Sequence, residues 1–351
     1  MQALILIGGL GTRLRPFTLK TPKPLLPILN RPFLEYQLDL IKKAGIRDVI
    51  LCTAYQSPIF KQALGDGRRF GLKFSYIQEK KPLGTGGAIK NAQGQLTQTT
   101  LVLNGDILSG VDFKKLIQTH IHNKSEATIA LTRVKDPTLY GLVETDSTGK
   151  ISRFLEKPSW EEVTSNTINA GIYVFEPAVL NLIPPNIPYS LERGLFPQLL
   201  LNGHRLHSFI SQGYWMDIGT ADKYLQAHFD ILEGKTPFSP PGKRKSSHVW
   251  VEPNARLGKE IDIEGRLVLG KGARVGDFVK LSGNVVLGPS CEIGKGAQLE
   301  NCVIFAHTKV GEGAKLQGCI IGEGCRIEPQ AVIGPSRVVG NHSVIKKYSR
   351  L

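Results

Sequence analysis

The sequence predicts an α/β domain followed by a parallel β-helix with three flat sides. Strand-like and helix-like stretches alternate over about the first 230 of its 351 residues, which is typical of a mostly parallel sheet covered by helices. After residue 250, apolar residues recur every six positions, the period of one side of such a β-helix. A proline-rich stretch without periodicity separates the two patterns. We therefore predict a first domain at 1–233, a linker at 234–248 and a second domain at 249–351.

The first domain begins with a strand and a helix that the sequence defines well. Residues 2–7 form an apolar run that ends at paired glycines, as expected for a strand buried on both faces. Residues 33–44 carry Leu34, Leu38 and Ile41 at helical spacing, and Gly45 follows as a C-cap. Further strands are predicted at 49–53, 73–77, 101–103 and 127–132, and further helices at 60–64 and 113–122. Ligands of such sheets bind beyond the carboxyl ends of the strands.

The six-residue repeat predicts which side chains point into the β-helix. One apolar row consists of Val251, Leu257, Ile263, Leu269, Val275, Leu281, Leu287, Ile293, Leu299, Phe305, Val310, Leu316, Ile321, Ile327, Ile333, Val339 and Ile345. Two steps in it, the one to Val310 and the one to Ile321, are five residues long. A row of small residues lies two positions earlier and includes Cys291, Cys319 and Cys325. These thiols are therefore expected to be buried packing groups and not redox centres.

Composition narrows the classes of function. The net charge is +14, from 44 Lys and Arg against 30 Asp and Glu, but the basic residues are dispersed and aromatic residues are only 7%. This favours small phosphorylated substrates over nucleic acid. Five cysteines without a CxxC pair argue against a zinc site or a disulfide framework. Neither a membrane span nor a signal peptide is predicted, so we expect a cytoplasmic protein.

A glycine loop at residues 8–16 follows the first strand and is the first candidate for phosphate binding. Glycines allow the backbone to approach an anion closely and to turn its N–H groups toward it. The loop matches neither the Walker pattern nor the dinucleotide fingerprint. Arg13, Arg15, Lys20 and Lys23 favour phosphate as the ligand. A solvated basic loop would explain these charges but not the glycines.

Ordered blocks along nearly the whole chain resemble the sugar-1-phosphate nucleotidylyltransferases. They read GGLGTRLRPFT at 8–18, PKPL at 22–25, PLGTGGA at 82–88, NGD at 104–106, YG at 140–141, EKP at 156–158, NAG at 169–171 and WMDIG at 215–219. The resemblance implies a Rossmann-like nucleotidyltransferase domain and a left-handed β-helix. It implies transfer of a nucleoside monophosphate from an NTP to a sugar 1-phosphate, with Mg²⁺ as cofactor. The sequences of these motifs are most similar to those of the members that use GTP and mannose 1-phosphate.

The resemblance also implies roles for individual residues. The catalytic residues would be Arg13, Lys23, Asp106 and Asp217, and the two aspartates would hold Mg²⁺ as hard oxygen ligands. The nucleotide would contact Leu6, Gly8, Gly9, Gly11, Thr12, Arg13, Gly84 and Gly105. Gln78 and Glu79 are candidates for reading the base. The sugar phosphate would contact Gly141, Glu156, Lys157 and Asn169.

Several alternatives remain open at this point. Residues 84–87 and 65–67 also resemble heptose-1-phosphate guanylyltransferases, so heptose 1-phosphate with GTP, or glucose 1-phosphate with UTP, dTTP or ATP, is an alternative pair. A catalytically silent regulatory subunit is disfavoured because all four catalytic positions are filled. An added acyltransferase, with His307 or His342, is disfavoured because no long loop interrupts the coils. The β-helix favours a homo-oligomer. His120 and His122 are expected at the surface.

Overall fold

The computed structural model describes residues 1–54 and 57–351, which form two compact units. The first unit contains residues 1–9 and 36–215, and the second contains residues 10–35 and 216–351. Segment 10–35, which carries most of the glycine loop and Lys23, therefore belongs to the same unit as the β-helix. The predicted ends of the first domain at 233 and of the linker at 248 refer to the order of segments along the sequence, and they remain a prediction.

A nine-stranded sheet forms the centre of the first unit. Its main path runs through Ile151–Glu156, Gly141–Thr145, Thr167–Phe175, Thr100–Asn104, Gln2–Leu6, Asp48–Thr53 and Lys73–Gln78, and Ala127–Arg133 pairs with both Thr167–Phe175 and Leu206–Ile210. Gln2–Leu6 is parallel to both of its neighbours. Thr167–Phe175 is antiparallel to Thr100–Asn104. The first four predicted strands in this unit thus occupy the parallel half of the sheet, and later strands add an antiparallel half.

Local sequence signals explain the main helices and strands. Ala3, Leu4 and Ile5 are fully buried, as predicted for a strand covered on both faces. Gly45 adopts a φ of +88° after the first helix, and the N–H of Ile46 donates to the carbonyl of Ile41 at 3.2 Å, which closes that helix. The α-helices are Phe33–Lys43, Ser57–Leu64, Gly84–Asn91, Phe113–His122, Phe196–Leu201 and Ala221–Leu232.

The expectation that His120 lies at the surface is wrong. Phe113, Leu116 and His120 share the buried face of their helix, and His120 is 1% exposed. Its Nδ1 lies 2.9 Å from Thr128 Oγ1 and its Nε2 lies 3.1 Å from Glu176 Oε1. Burial lowers the pKa of His120. The residue is a bonded core histidine, while His122 is exposed.

The β-helix consists of parallel strands that stack coil on coil. Its strands are Val249–Val251, Arg256–Leu257, Asp262–Leu269, Arg274–Val275, Lys280–Leu287, Glu292–Ile293, Gln298–Ile304, Lys309–Val310, Lys315–Gln317, Ile320–Ile321, Arg326–Ile327, Val332–Ile333, Val338–Val339 and Val344–Ile345. The short strand Lys243–Arg244, within the predicted linker, pairs antiparallel with Val249–Val251. Register places Leu269 opposite Leu287, Leu287 opposite Ile304, and Ile304 opposite Ile321. The coils are thus 18 residues long, with two shortened to 17.

The predicted inward row is wrong at Phe305. Ile304 occupies the position opposite Leu287 and belongs to the core of the β-helix. Phe305 is 6% exposed yet lies outside that core. The one-residue shortening falls before Ile304, and because successive side chains of a strand alternate between its faces, Phe305 points outward.

The five cysteines are buried and free. Burial raises the pKa of Cys291 to about 12, and Cys302 Sγ lies 3.6 Å from Cys319 Sγ in the next coil. These surroundings agree with the packing role predicted for Cys291, Cys319 and Cys325. Within the described part of the chain, no helix combines the length and the apolarity needed to cross a membrane.

Candidate functional site

The carboxyl end of the first strand forms a close-packed edge that only glycine allows. Leu6 lies in register with Cys52 on one side and Asn104 on the other. The N–H of Gly105 donates to the carbonyl of Leu6 at 2.9 Å. A Cβ at position 105 would lie 2.6 Å from both that oxygen and Ile7 Cγ2. Glycine at position 105 therefore lets the loop after Thr100–Asn104 pack directly on the end of the first strand.

A buried carboxylate lies beside Gly8. A Cβ at position 8 would be 3.1 Å from Glu79 Oε1. The other oxygen, Glu79 Oε2, accepts from the N–H of Leu83 at 3.0 Å, and burial raises the pKa of Glu79. Glu79 thus connects the end of one strand to the loop before Gly84.

The glycines at 84–87 pack against a neighbouring segment. Gly84 has a φ of +71°, and a Cβ there would lie 2.9 Å from the carbonyl oxygen of Tyr189. The N–H groups of Gly86 and Gly87 donate to the same oxygen at 2.9 and 3.1 Å. Gly84, Gly86 and Gly87 thus all pack against Tyr189, and the nucleotide contact expected of Gly84 remains a prediction.

Asp106 lies half-buried at the end of the strand Thr100–Asn104. The side-chain nitrogen of Gln37 donates to the carbonyl of Asn104 at 2.9 Å and to that of Ile107 at 2.8 Å. Gln37 therefore fixes the backbone on both sides of the Gly105–Asp106 pair. Sequence reasoning missed Gln37, whose only signal is a glutamine within an apolar helix face.

Two of the predicted sugar-side residues meet across adjacent strands. Gly141 is paired in register with Glu156, and a Cβ at position 141 would lie 3.2 Å from Glu156 Oε2. Burial, and then the nearby charge of Glu192, raise the pKa of Glu156. Lys157 has a φ of +52°, and its N–H donates to the carbonyl of Tyr140 at 2.9 Å.

Asn169 and Glu192 complete this region of the first unit. Both ends of the Asn169 amide are engaged, because Nδ2 donates to Tyr173 Oη at 3.0 Å and Oδ1 accepts from the N–H of Gly171 at 2.9 Å. Glu192 Oε2 accepts from Thr85 Oγ1 at 2.9 Å and from Ser190 Oγ at 2.6 Å. The sequence offered no motif around Glu192, and only the fold reveals it.

In the second unit, a tight turn brings Lys23 beside the glycine loop. Gly11 has a φ of +61°, and its carbonyl accepts from Thr18 Oγ1 at 2.8 Å. A Cβ at position 11 would lie 3.1 Å from Lys23 Cβ. Lys23 is buried, whereas Gly9, Thr12 and Arg13 are exposed. A larger residue at position 11 would separate the two basic parts of the loop.

In this unit Gly219 lies beside the Arg13 guanidinium and is hydrogen-bonded to the backbone of Asp217. A Cβ on Gly219 would be 3.1 Å from the guanidinium carbon of Arg13, and the N–H of Gly219 donates to the carbonyl of Asp217 at 2.9 Å. The Asp217 carboxylate forms an ion pair with Lys223. Lys223 lies in the first turn of the helix that Thr220 caps, and sequence reasoning missed it.

Potential metal ligands do not cluster in the part of the chain that the structure describes. Among residues 1–54 and 57–351, no three His, Cys, Asp or Glu side chains come together as a metal-binding group. Asp106 and Asp217 provide the hard carboxylate oxygens that Mg²⁺ prefers, and Mg²⁺ at phosphates often takes only one or two carboxylates from the protein. The donor chemistry of the two residues thus fits this cation.

Comparisons with known proteins match both parts of the chain. Residues 2–234 match the Nucleotidyl transferase family and residues 246–351 match the EIF2B subunit epsilon LbH domain. A mannose-1-phosphate guanylyltransferase of Mycobacterium tuberculosis is 40% identical over 275 residues, which are 78% of this chain and 76% of that protein. The catalytic subunit beta of the Drosophila melanogaster enzyme is 38% identical over 74% of this chain and 71% of that protein. The crystal structure of HddC from Yersinia pseudotuberculosis complexed with GMP-PN is 30% identical, with a TM-score of 0.55, over 65% of this chain and 97% of that one.

Proposed function

Because the chain belongs to the nucleotidyl transferase family, we propose that it transfers GMP from GTP to mannose 1-phosphate, giving GDP-mannose and pyrophosphate. The observation that carries the choice of nucleotide is the buried Glu79 carboxylate, which lies beside Gly8 just after the first strand. The choice of sugar is supported by the likeness to curated mannose-1-phosphate guanylyltransferases.

Guanine is the base whose edge suits Glu79. Its N1–H and exocyclic amino group are both donors, while an ionised carboxylate only accepts. Adenine offers an acceptor at N1 and would leave the buried carboxylate facing a lone pair. Leu6, Gly8, Gly84 and Gly105 would make room for the purine ring. We assign the readout to the buried Glu79 in preference to Gln78, which is exposed.

The reaction requires positioning and charge neutralisation more than covalent chemistry. A phosphate oxygen of the sugar phosphate attacks the α-phosphorus, and the bond from that phosphorus to the pyrophosphate oxygen breaks in line with it. Arg13, whose guanidinium is exposed and planar, would hold the oxygens of the departing pyrophosphate in a bidentate manner. Gly9, Gly11 and Thr12 would present their backbone to the same phosphates. Lys23 would place its ammonium at the α-phosphate.

The sugar phosphate would be held by residues of the antiparallel half of the sheet. Glu156 would accept from ring hydroxyls, Lys157 would pair with the phosphate, and Gly141 would contact the ligand through its backbone. Asn169 already bonds Gly171 and Tyr173, so its part would be to shape this site and to share one of its amide groups with a hydroxyl.

Mg²⁺ would be held by Asp106 and Asp217. When bound, the cation supplies neutralisation of phosphate charge as the pyrophosphate leaves. Lys223, paired with Asp217, would keep that carboxylate compensated and oriented when substrates are absent. We also propose a cytoplasmic location, because the reaction consumes a nucleoside triphosphate from the cytoplasmic pool. We further propose that the flat stacked faces of the β-helix support self-association.

The test is a pyrophosphate-release panel with the full chain. It crosses GTP, ATP, UTP and dTTP with the 1-phosphates of mannose, glucose, N-acetylglucosamine and heptose, with Mg²⁺ and with EDTA. We expect a dominant signal from GTP with mannose 1-phosphate that EDTA abolishes. A different dominant pair would contradict the specificity, and silence in every well would favour the regulatory subunit.

A further inference from the structure

The β-helix has one outward row that is apolar and buried, and on a second side a row that is polar and exposed. On the second side the outward residues are polar and exposed: Arg256, Arg274, Glu292, Lys309 and Arg326. On the side that contains residues 267–269, 285–287, 302–304 and 319–321, the outward residues are Val268, Val286, Val303 and Ile320. All four are buried, and the chain neighbours of each belong to the core of the β-helix. Because neighbours in a strand face opposite ways, these four side chains point out of the coil and are covered from outside.

Part of the cover is the helix Ala221–Leu232. It lies against the strands Lys280–Leu287 and Gln298–Ile304. Just after this helix, Glu233 Oε1 accepts from Asn284 Nδ2 at 2.7 Å. The ring of Tyr224 lies 6.2 Å from that of Phe305, edge to face. The helix that begins four residues after Asp217 is thus fixed to this side of the β-helix.

Segment 10–35 is fixed to the same unit at three points. The rings of Phe17 and Phe305 are 4.9 Å apart. A Cβ on Gly340 would lie 3.1 Å from Pro16 Cγ. Asn30 Nδ2 donates to the carbonyl of Leu287 at 3.0 Å and lies 3.2 Å from Glu252 Oε1.

Helix and segment also bind each other on this side. The hydroxyl of Tyr224 donates to the carbonyl of Pro27, and the N–H of Leu29 donates to Nδ1 of His228 at 3.2 Å. Phe305 therefore contacts Phe17 of the segment and Tyr224 of the helix. Arg13 lies four residues before Phe17, Lys23 six residues after it, and Asp217 seven residues before Tyr224.

We propose that this side of the β-helix holds the catalytic loop in its reactive geometry, with Phe305 as the positioning residue. The inference rests on the proposed function, because it assigns the loop to phosphate transfer. In this proposal Phe305 has an indirect role. It acts through Phe17 and Tyr224 on the segments that carry Arg13, Lys23 and Asp217, and errors of about 1 Å at such groups can cost about 100-fold in rate.

The experiment measures GTP and mannose 1-phosphate kinetics for Phe305→Ala and Phe305→Leu in the full chain. We expect Phe305→Ala to lower kcat/KM for GTP by about 10- to 100-fold, while KM for mannose 1-phosphate, held by the other unit, changes less than twofold. Phe305→Leu, which keeps a large apolar side chain, should retain most of the kcat/KM for GTP. Two matched controls are Ile304→Ala, which removes the adjacent inward side chain, and Phe278→Ala, which removes a phenylalanine that is 45% exposed. Both should keep the kinetics of the folded protein.

A second readout does not depend on activity. Trypsin cleavage after Arg13 and Lys20, both exposed, should be at least tenfold faster in Phe305→Ala than in the parent chain or in Ile304→Ala at equal folded fraction. Faster cleavage with an inactive parent chain would keep the anchoring and refute the proposed function. Equal cleavage, or a kinetic loss that merely follows the unfolded fraction in both Phe305→Ala and Ile304→Ala, would overturn the inference.

Discussion

Individual residues of the glycine loop differ in how the structure uses them, although the sequence makes them look alike. Arg13 and Arg15 are both exposed and two residues apart. The Arg13 guanidinium lies beside Gly219, which is two residues from Asp217. The pair therefore offers a matched test of which arginine serves the reaction.

We expect Arg13→Ala to reduce kcat/KM by about 100-fold or more, because it removes a charge-assisted bidentate contact to phosphate oxygens. Arg15→Ala should stay within about threefold of the parent chain. Steady-state pyrophosphate release measures both variants, with circular dichroism to verify folding. Equal losses in the two variants would show that the loop binds phosphate through general positive charge.

Glu79→Gln tests the readout of the base. Replacing the carboxylate by an amide of similar shape adds donors where guanine also donates, so kcat/KM for GTP should fall by about 10- to 100-fold, as expected for a hydrogen bond to a charged group. Activity with ATP should fall less. Gln78→Ala, at the exposed neighbouring position, is the control. An unchanged ratio of GTP to ATP in Glu79→Gln would contradict the assignment.

At the scale of elements, the contact between the helix Ala221–Leu232 and residues 27–29 depends on a histidine without charge. Burial lowers the pKa of His228 to about 3 from a usual value of 6.5. Its Nδ1 accepts from the N–H of Leu29. A histidine whose pKa is depressed by folding stabilises the folded protein fully above pH 6.5, and this contribution is lost as the pH falls toward 3.

His228→Asn retains an acceptor for the Leu29 N–H and removes the titration. Between pH 6 and pH 4 the parent chain should lose about 1.4 kcal/mol of unfolding free energy per pH unit more than this variant. Urea unfolding at several pH values measures the difference. Parallel pH profiles for the two proteins would show that His228 does not titrate on unfolding.

The elements also show what the sequence could predict and why it failed where it did. The first strand, the helix closed by Gly45 and the six-residue rows follow from local periodicity, and the structure contains them. Phe305 was assigned to the wrong row because a shortened coil shifts the register by one residue. The repeat alone does not say whether the missing residue falls before or after Phe305. Gln37, Glu192 and Lys223 were missed because their roles depend on contacts between segments that are distant in sequence.

At the scale of the whole molecule, the cysteines provide internal reporters of each unit. Cys52 is buried in the first unit, and the other four thiols are buried in the β-helix. We expect a thiol reagent to modify all five in urea and almost none in the native chain on the time scale of minutes. In Cys52→Ala the remaining reaction reports opening of the β-helix alone. Rapid native labelling of that variant would show that the β-helix opens locally.

The placement of residues 10–35 with the β-helix restricts how such a protein could be recombined during evolution. An exchange of genes that joined this first domain to a foreign β-helix at residue 249 would separate Phe17 and Pro16 from the surfaces they fit. A viable crossover would have to carry along Phe17 and Pro16, which lie 288 and 324 residues upstream of their partners Phe305 and Gly340. The two parts of the chain are therefore expected to be inherited together, with substitutions at positions 17, 224 and 305 compensating one another.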